Sequence, residues 1–452
     1  RVRHARLAAG EAVGQLGRAL QLLGCGVAGR LAQALEGERD RAQVGVLVRH
    51  HVAGEPAAEF QVVLGGGISG MISWYLLQRQ HEVTVFEAGS YLGGHTATVD
   101  VTVEGKEYAI DTGFIVFNNW TYPLFTKFLD ELKVESQPTQ MSFSVKKADT
   151  GLEYNGHTLA TLFAQRRNLF RPSFWRMLLD IVKFNKLGKE LLEQNHPDLD
   201  LLIDEFLAKH NLGRELRNDY LLPMGAAIWS SGLADMPSFP LRFFLQFFKN
   251  HGLLNVADRP QWSVIKGGSR EYVRALLNTL NSAQVKLNSP VKAVSRDADG
   301  VSLEFTDGRT EHFDQVVFAC HSDQALALLK DPTEAERQVL GGIAYQKNDV
   351  ILHTDQRILP KRKAAWAAWN YHLTDAASSH ATLSYNMNIL QGIEAPVTFV
   401  VTLNHSHVID QSRILKRFQT WDLHRTNLAC CQSSQIQSIV CGLISTKYAP
   451  HA

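Results

Sequence analysis

The stretch Gln61–Thr96, QVVLGGGISGMISWYLLQRQHEVTVFEAGSYLGGHT, decides the fold. Gln61–Leu64 is a short β-branched run, and Gly65, Gly67 and Gly70 follow it as G-x-G-x-x-G. A helical pattern opens there, a second apolar run ends at Glu87, and this acid falls 17 residues beyond Gly70. Each part has a task in binding a dinucleotide. Gly65 permits the tight turn, Gly67 lets backbone approach a pyrophosphate, and Gly70 lets helix and strand pack closely. The helix N-terminus, with Ser69 in its first turn, offers unpaired N–H groups and a positive dipole end to the phosphates. A carboxylate at the tip of the second strand accepts hydrogen bonds from a ribose hydroxyl pair. It would repel a 2′-phosphate, so Glu87 favours FAD or NAD over NADP. A glycine-rich turn in another kind of α/β protein would leave Glu87 and the second glycine pair unexplained.

That second pair, in Gly93-Gly94-His95-Thr96, separates FAD from NAD. Here the residues resemble the large FAD family of monoamine oxidases, polyamine oxidases and phytoene desaturases. Its members carry a Gly-Gly-Arg step just after the ribose-binding acid, which reaches back to the FAD pyrophosphate. His95 stands where Arg is usual, and His is a weaker, titratable phosphate partner. More closely, the chain resembles a bacterial branch of NAD/FAD-binding, amine-oxidase-like proteins, from about Gln61 to about Phe418. DTGFIVFNNWTYP (Asp111–Pro123), LLPMGAAIWS (Leu221–Ser230), VVFACHSDQAL (Val316–Leu326) and AWAAWNYH (Ala365–His372) carry this resemblance. It implies an α/β fold: a Rossmann-like FAD-binding domain with a second, mixed-sheet plus helical substrate domain, and FAD between them. It also implies backbone contact with the cofactor at Gly113 and Phe114, and an adenine-edge contact near Val291.

At 452 residues, with 45% hydrophobic residues, the chain has room for two or three domains. A net charge of +1 carries no nucleic-acid footprint. No apolar run approaches the ~18 residues that span a bilayer. Cys25, Cys320, Cys430, Cys431 and Cys441 show no C-x-x-C spacing, so neither a disulfide framework nor a metal site is expected. The expected location is a reducing cytoplasm.

The ends differ from the middle. Residues 1–60 contain eight Arg but no Lys, Ser, Thr, Asn, Ile, Tyr or Trp. We expect an atypical extension there, outside the fold; a targeting peptide fits poorly because Glu11, Arg18 and Arg30 interrupt its apolar stretch. Residues 419–452 hold three of the five cysteines and read as an atypical tail. Members of the resembled family end in a strand, a glycine turn and a helix covering the flavin, of which Val440-Cys441-Gly442 is a faint echo.

Between the ends, Thr98–Ile110 alternates as a hairpin around Glu104-Gly105. Leu159 to about Phe248 is mostly helical, broken at Pro172, Pro223, Pro237 and Pro240. A strand series over Val285–Ala319 looks like the returning half of the FAD domain. Strands near 349–354, 365–371, 381–387 and 397–403, with those at 142–154, suit one antiparallel sheet. The expected division is 61–140 and 260–340 for the FAD domain, and 141–259 and 341–418 for the substrate domain.

The flavin would carry the hard chemistry, so no triad or metal cluster is needed. The resemblance places a lysine near the flavin on the first strand after the returning half; that position here is Asn348, with Lys347 beside it. Lys347 would face the other side of a period-two strand. Trp366 could wall the cofactor, and Trp369 and Tyr371 the substrate, although alternating aromatics also build cores. Trp229 lies in a segment that borders the substrate cavity in the family, and a buried core Trp is its plain alternative. Gln165–Lys189 interleaves basic and aromatic residues, which suits peripheral contact with an anionic inner membrane, or else a helix with a solvated basic face. The expectation is an FAD-dependent oxidoreductase acting on an apolar or amphipathic, lipid-like small molecule. The alternatives are an amine oxidase proper, a non-catalytic derivative and a membrane-binding module.

Overall fold

The computed structural model describes residues 60–280, 284–373, 380–426 and 444–445. Strand β1 (Phe60–Leu64) leads through the glycine turn into helix α1 (Ile68–Leu77), which returns the chain to β2 (Glu82–Phe86), parallel to β1. The strand Gln315–Phe318 lies on the other side of β1, and Val285–Lys286 lies outside β2, both parallel. Ile444–Ser445 pairs antiparallel at the edge. Alternation along β1 explains why both faces of this sheet are covered. Val63 packs with Val83, Val85, Met71, Ile72 and Trp74 on the helix side. Val62 and Leu64 pack with Val316, Phe318 and Phe305 on the other. That second layer is a separate antiparallel sheet of Val291–Arg296, Val301–Phe305 and Thr310–Phe313. The series expected over Val285–Ala319 is therefore present, divided between two sheets.

The hairpin forms as Thr98–Val103 and Lys106–Asp111. A small sheet of Val116–Asn118, Trp262–Ile265 and Ser136–Thr139 was not expected. Pro138 lies in Ser136–Thr139, an edge strand, where a missing N–H is tolerated.

The remaining strands form one seven-stranded sheet. Its order is Ile414–Thr426, Ile343–His353, Val400–Leu403, Leu383–Asn386, Trp369–Leu373, Phe143–Lys147 and Glu153–Asn155. It is mixed rather than wholly antiparallel, because Trp369–Leu373 runs parallel to Phe143–Lys147. Parallel neighbours need a long connection, and the whole helical segment lies between these two. The strand Ile414–Thr426 pairs along the length of Ile343–His353, so it runs across the expected boundary at Phe418. Residues 1–59 and Val440-Cys441-Gly442 lie outside the described residues.

Residues 159–250 are mostly helical, and Pro237 and Pro240 fall in the break between Leu222–Trp229 and Leu241–Asn250, as expected; the other two expected breaks, Pro172 and Pro223, sit inside helices. Pro172 is in the first turn of the 23-residue helix Pro172–Gln194, where its missing N–H costs nothing. Pro223 lies early in Leu222–Trp229, directly after a π-helical turn at Arg217–Leu221. Proline at 223 cannot donate to the Asp219 carbonyl four residues back. Tyr154 donates its hydroxyl to that carbonyl at 2.6 Å. The sheet thereby satisfies the group that the proline strands, and burial pushes the Tyr154 hydroxyl pKa well above its usual value. Phe174, Met177, Phe184 and Leu191 of the long helix share one core with Phe206, Phe244 and Phe248, and with Val145, Tyr154 and Tyr371 of the sheet. Among the described residues no helix is long and apolar enough to cross a membrane.

Candidate dinucleotide and active site

The turn after β1 is built by close contacts that only glycine allows. Gly65 has φ +110°, and a Cβ there would stand 2.7 Å from the Ala319 carbonyl oxygen. A Cβ on Gly70 would stand 1.9 Å from the Gly65 oxygen, so α1 can start this close to β1 only without one. Gly67 is different: a Cβ there would meet no atom of the described residues within 4 Å. It is the N-cap of the ten-residue α1, and no side chain caps the helix. The first-turn N–H groups of α1, including that of Ser69, therefore lack the usual side-chain acceptor. They border an open cavity of about 910 Å³ that Gly65, Gly67 and Ser69 line.

The second glycine pair is drawn against the first. Gly93 donates to the Gly66 oxygen at 2.8 Å and bridges to Gly67. Thr96 is buried, and its hydroxyl is hydrogen-bonded to that of Tyr272. Segment 112–114 then crosses this backbone. Phe114 donates to the His95 carbonyl at 2.8 Å, and a Cβ on Gly113 would stand 2.1 Å from the same oxygen. Its neighbour Asp111 is wholly buried and accepts from Thr98 at 2.6 Å and from the Ser269 amide and hydroxyl at 2.9 Å. Burial raises the Asp111 carboxyl pKa, and these donors oppose the shift.

Glu87 stands at the lip of the same cavity. One carboxylate oxygen accepts the Gly66 amide at 2.6 Å and the other accepts the Gly89 amide at 2.7 Å. Two backbone donors fix the group, and each oxygen keeps a lone pair for a ribose hydroxyl. Val291 also lines this cavity, beside a register shift in its strand. The structure thus brings together Gly65, Gly67, Ser69, Glu87, Gly93, Gly94, His95, Thr96, Phe114 and Val291. Gly113 lines an adjoining cavity of about 970 Å³ that shares Gly94, His95 and Thr96 with the first. An open backbone face at an uncapped helix start, a fixed carboxylate and a second glycine loop are the parts an FAD adenosine and pyrophosphate need.

Phe125 and Tyr272 were missed in the sequence. With Phe114 they make a wall of edge-to-face rings, with centroids 5.4 and 5.5 Å apart along the series. Their spacing in sequence carries no periodic signal. His321 stacks on Tyr345 at 4.4 Å and faces His95 at 5.9 Å, at the junction of the two cavities.

Other expected site residues lie elsewhere. Trp366 donates its ring N–H to the Pro360 carbonyl at 2.8 Å and lines a separate cavity of about 400 Å³ with Asn155 and Asn388. It does not join the glycine loops. Tyr371 is buried and belongs to the large apolar core, with Trp369 and Trp229 packed against that core. Trp369 meets Tyr385 edge-on at 5.2 Å, and Trp229 sits among Phe239, Phe243, Phe244 and Phe247. Asn348 is fully buried and accepts from the Asn404 amide at 2.7 Å, whereas Lys347 is exposed, as period two requires.

Solved structures with this fold include cyclohexylamine oxidase from Brevibacterium oxydans IH-35A. It is 13% identical over 81% of this chain and 85% of its own, with a TM-score of 0.57. A putrescine oxidase redesigned at its cofactor-binding site is 16% identical over 76% and 75% of the two chains, with a TM-score of 0.55. A fatty acid isomerase from P. acnes is 17% identical over 86% and 84%, also at 0.55. Among curated proteins, "Probable flavin-containing monoamine oxidase A" of Dictyostelium discoideum is 24% identical over 279 residues. That match takes in 57% of this chain, which spans 56% of the length of that relative. The family model for flavin containing amine oxidoreductases matches residues 68–408, well over half the chain. The chain belongs to the flavin containing amine oxidoreductase family.

Proposed function

We propose that this protein is an FAD-dependent oxidoreductase acting on an apolar or amphipathic, lipid-like substrate. The family implies the flavin cofactor. The observation that carries the reading is the docking of Gly93-Gly94 against Gly67, at the uncapped start of α1. Bound FAD supplies a hydride acceptor for a substrate C–H bond. The task of the chain is to bind, orient and exclude. Ser69 and its neighbours at the start of α1 offer N–H groups to a pyrophosphate, Glu87 takes the ribose, and Val291 borders the adenine end. Phe114, Phe125 and Tyr272 exclude water from one wall.

The substrate class is supported by the adjoining cavity. Arg270, Arg274 and Lys416 line it, and among the described residues no Asp or Glu does. Arg270 is paired with Asp100 and Arg274 with Glu271, while Lys416 has no carboxylate partner among the described residues. Such a wall repels an ammonium group and suits a carboxylate- or phosphate-headed molecule. Leu92, Val273, Leu277 and Phe418 offer its tail an apolar surface. We extend the proposal to peripheral membrane contact through residues 165–189, since a lipid-like substrate is met at a bilayer.

An amine oxidase proper is the second reading, favoured by the name of the Dictyostelium discoideum relative. The buried Asn348–Asn404 pair, where a lysine is expected in that class, speaks against it. Anaerobic mixing with long-chain fatty acids and with simple amines tests the choice. Flavin bleaching by the first set supports the proposal; bleaching by amines alone, with hydrogen peroxide formed in air, overturns it.

A further inference from the structure

The helix Pro172–Gln194 presents an apolar stripe to solvent on the side away from the core. Trp175, Leu179 and Val182 are spaced i, i+4, i+7 and so share one face; their exposures are 44%, 68% and 56%. Met177, Phe184 and Leu191 are buried on the opposite side. The preceding 3-10 turn, Arg166–Phe170, continues the stripe. Trp175 donates its ring N–H to the Leu169 carbonyl at 2.9 Å, which ties this turn to the helix. Phe170, at its tip, is 86% exposed.

Basic residues surround the stripe. Over 165–189 there are seven, Arg166, Arg167, Arg171, Arg176, Lys183, Lys186 and Lys189, against the single acid Asp180. Asp180 accepts the Gly213 amide at 2.9 Å. Arg176 is paired with Glu215. Arg166, Arg171 and Lys189 have no carboxylate partner among the described residues. Exposed apolar groups cost solvation free energy unless something covers them, and a cationic fringe selects an anionic cover.

We infer that the Leu169–Phe170 tip and the Trp175–Leu179–Val182 face form a wedge that enters the interface of a bilayer carrying anionic lipid, building on the peripheral contact proposed for the same segment. The basic fringe would rest on the headgroups. A bilayer carrying anionic lipid is favoured over other covers by charge: seven basic residues against one acid flank exposed apolar side chains, the pairing that an anionic headgroup layer over acyl chains complements.

The test uses the full chain in co-sedimentation with phosphatidylcholine vesicles, alone or with about a third phosphatidylglycerol. Binding is expected only with phosphatidylglycerol and should fall steeply with added salt. Phe170→Asp with Leu179→Asp should abolish it. Arg166→Ala and Arg171→Ala should each weaken it about fivefold. Val256→Asp, at another exposed apolar position, should leave it unchanged. Far-UV dichroism and thermal melting of every variant separate lost binding from lost fold.

Equal binding to both vesicle types, no binding to either, or binding that survives Phe170→Asp with Leu179→Asp would overturn the wedge. So would a lipid-free dimer that this double substitution dissociates, because the stripe would then be covered by a second copy. Vesicle binding without turnover of any lipid would overturn the substrate proposal and leave the wedge standing.

Discussion

Alanine at Gly67 should empty the cofactor site while leaving the fold intact. The backbone there has φ −71° and ψ −179°, open to any residue, and a Cβ meets no atom of the described residues within 4 Å. Alanine is a poorer N-cap than glycine, but it also lowers the entropy of the unfolded chain. These effects nearly cancel, so stability should move by less than about 0.5 kcal/mol. The methyl group instead occupies the cavity face where a pyrophosphate would approach α1. Hydrogen bonds to a charged group are worth about 1.5–3 kcal/mol each. Displacing the phosphates from two of them costs about 3 kcal/mol or more, roughly a hundredfold in Kd. The assay is flavin stoichiometry after heat release, together with FAD titration of stripped protein and thermal melting by dichroism. Gly70→Ala is the contrasting control. Its Cβ would stand 1.9 Å from the Gly65 oxygen, so melting itself should fall with that change. A Gly67→Ala protein with wild-type stoichiometry and affinity would refute the reasoning.

Other consequences are as direct. Glu87→Gln keeps the shape of the side chain but replaces one acceptor oxygen, opposite the Gly66 or Gly89 amide, with a donor. FAD affinity should fall about tenfold, measured by fluorescence titration. Tyr154→Phe leaves the partly buried Asp219 carbonyl without its donor and should cost about 1–2 kcal/mol in urea unfolding. Adding Pro223→Ala returns an amide to that carbonyl, so the double variant should recover part of the loss; strict additivity would refute the coupling. Burial lowers the pKa of His353 and of His405 to about 4, and that of His372 well below its ordinary value. These rings are held neutral in the fold. Their contribution is therefore complete above the unfolded value near 6.5 and is lost as pH falls towards 4, by at most roughly 3 kcal/mol for each of His353 and His405. Urea midpoints across that window should drop, and replacing His353 with Asn should flatten the slope.

The sequence carried the glycine site because its spacing is set by local geometry. Gly65, Gly67, Gly70 and Glu87 all act within one strand–helix–strand unit, so their order in the chain is their arrangement in space. The hairpin around Glu104-Gly105 was legible for the same reason. Features made by distant segments were not. Tyr272 reaches Thr96 across 176 residues, and Trp369–Leu373 finds Phe143–Lys147 as a parallel neighbour only after the helical segment has intervened. No local pattern encodes either pairing. Trp366, Trp369 and Tyr371 show the limit from the other side. Alternation placed all three on a strand, but the strand begins at Trp369, and Trp366 follows a 3-10 turn before it and opens on a separate cavity; nor could alternation say what covers the other two. Pro223 read as a helix break because sequence alone does not reveal that Tyr154 will serve the carbonyl it strands.

The most direct test of the central claim is the absorbance spectrum of the purified full chain, with flavin stoichiometry after heat release. The fit of Gly67, Glu87 and Gly93-Gly94 to FAD predicts a yellow protein with flavin bands and about one FAD per chain. A colourless protein that stays colourless after incubation with FAD would contradict it.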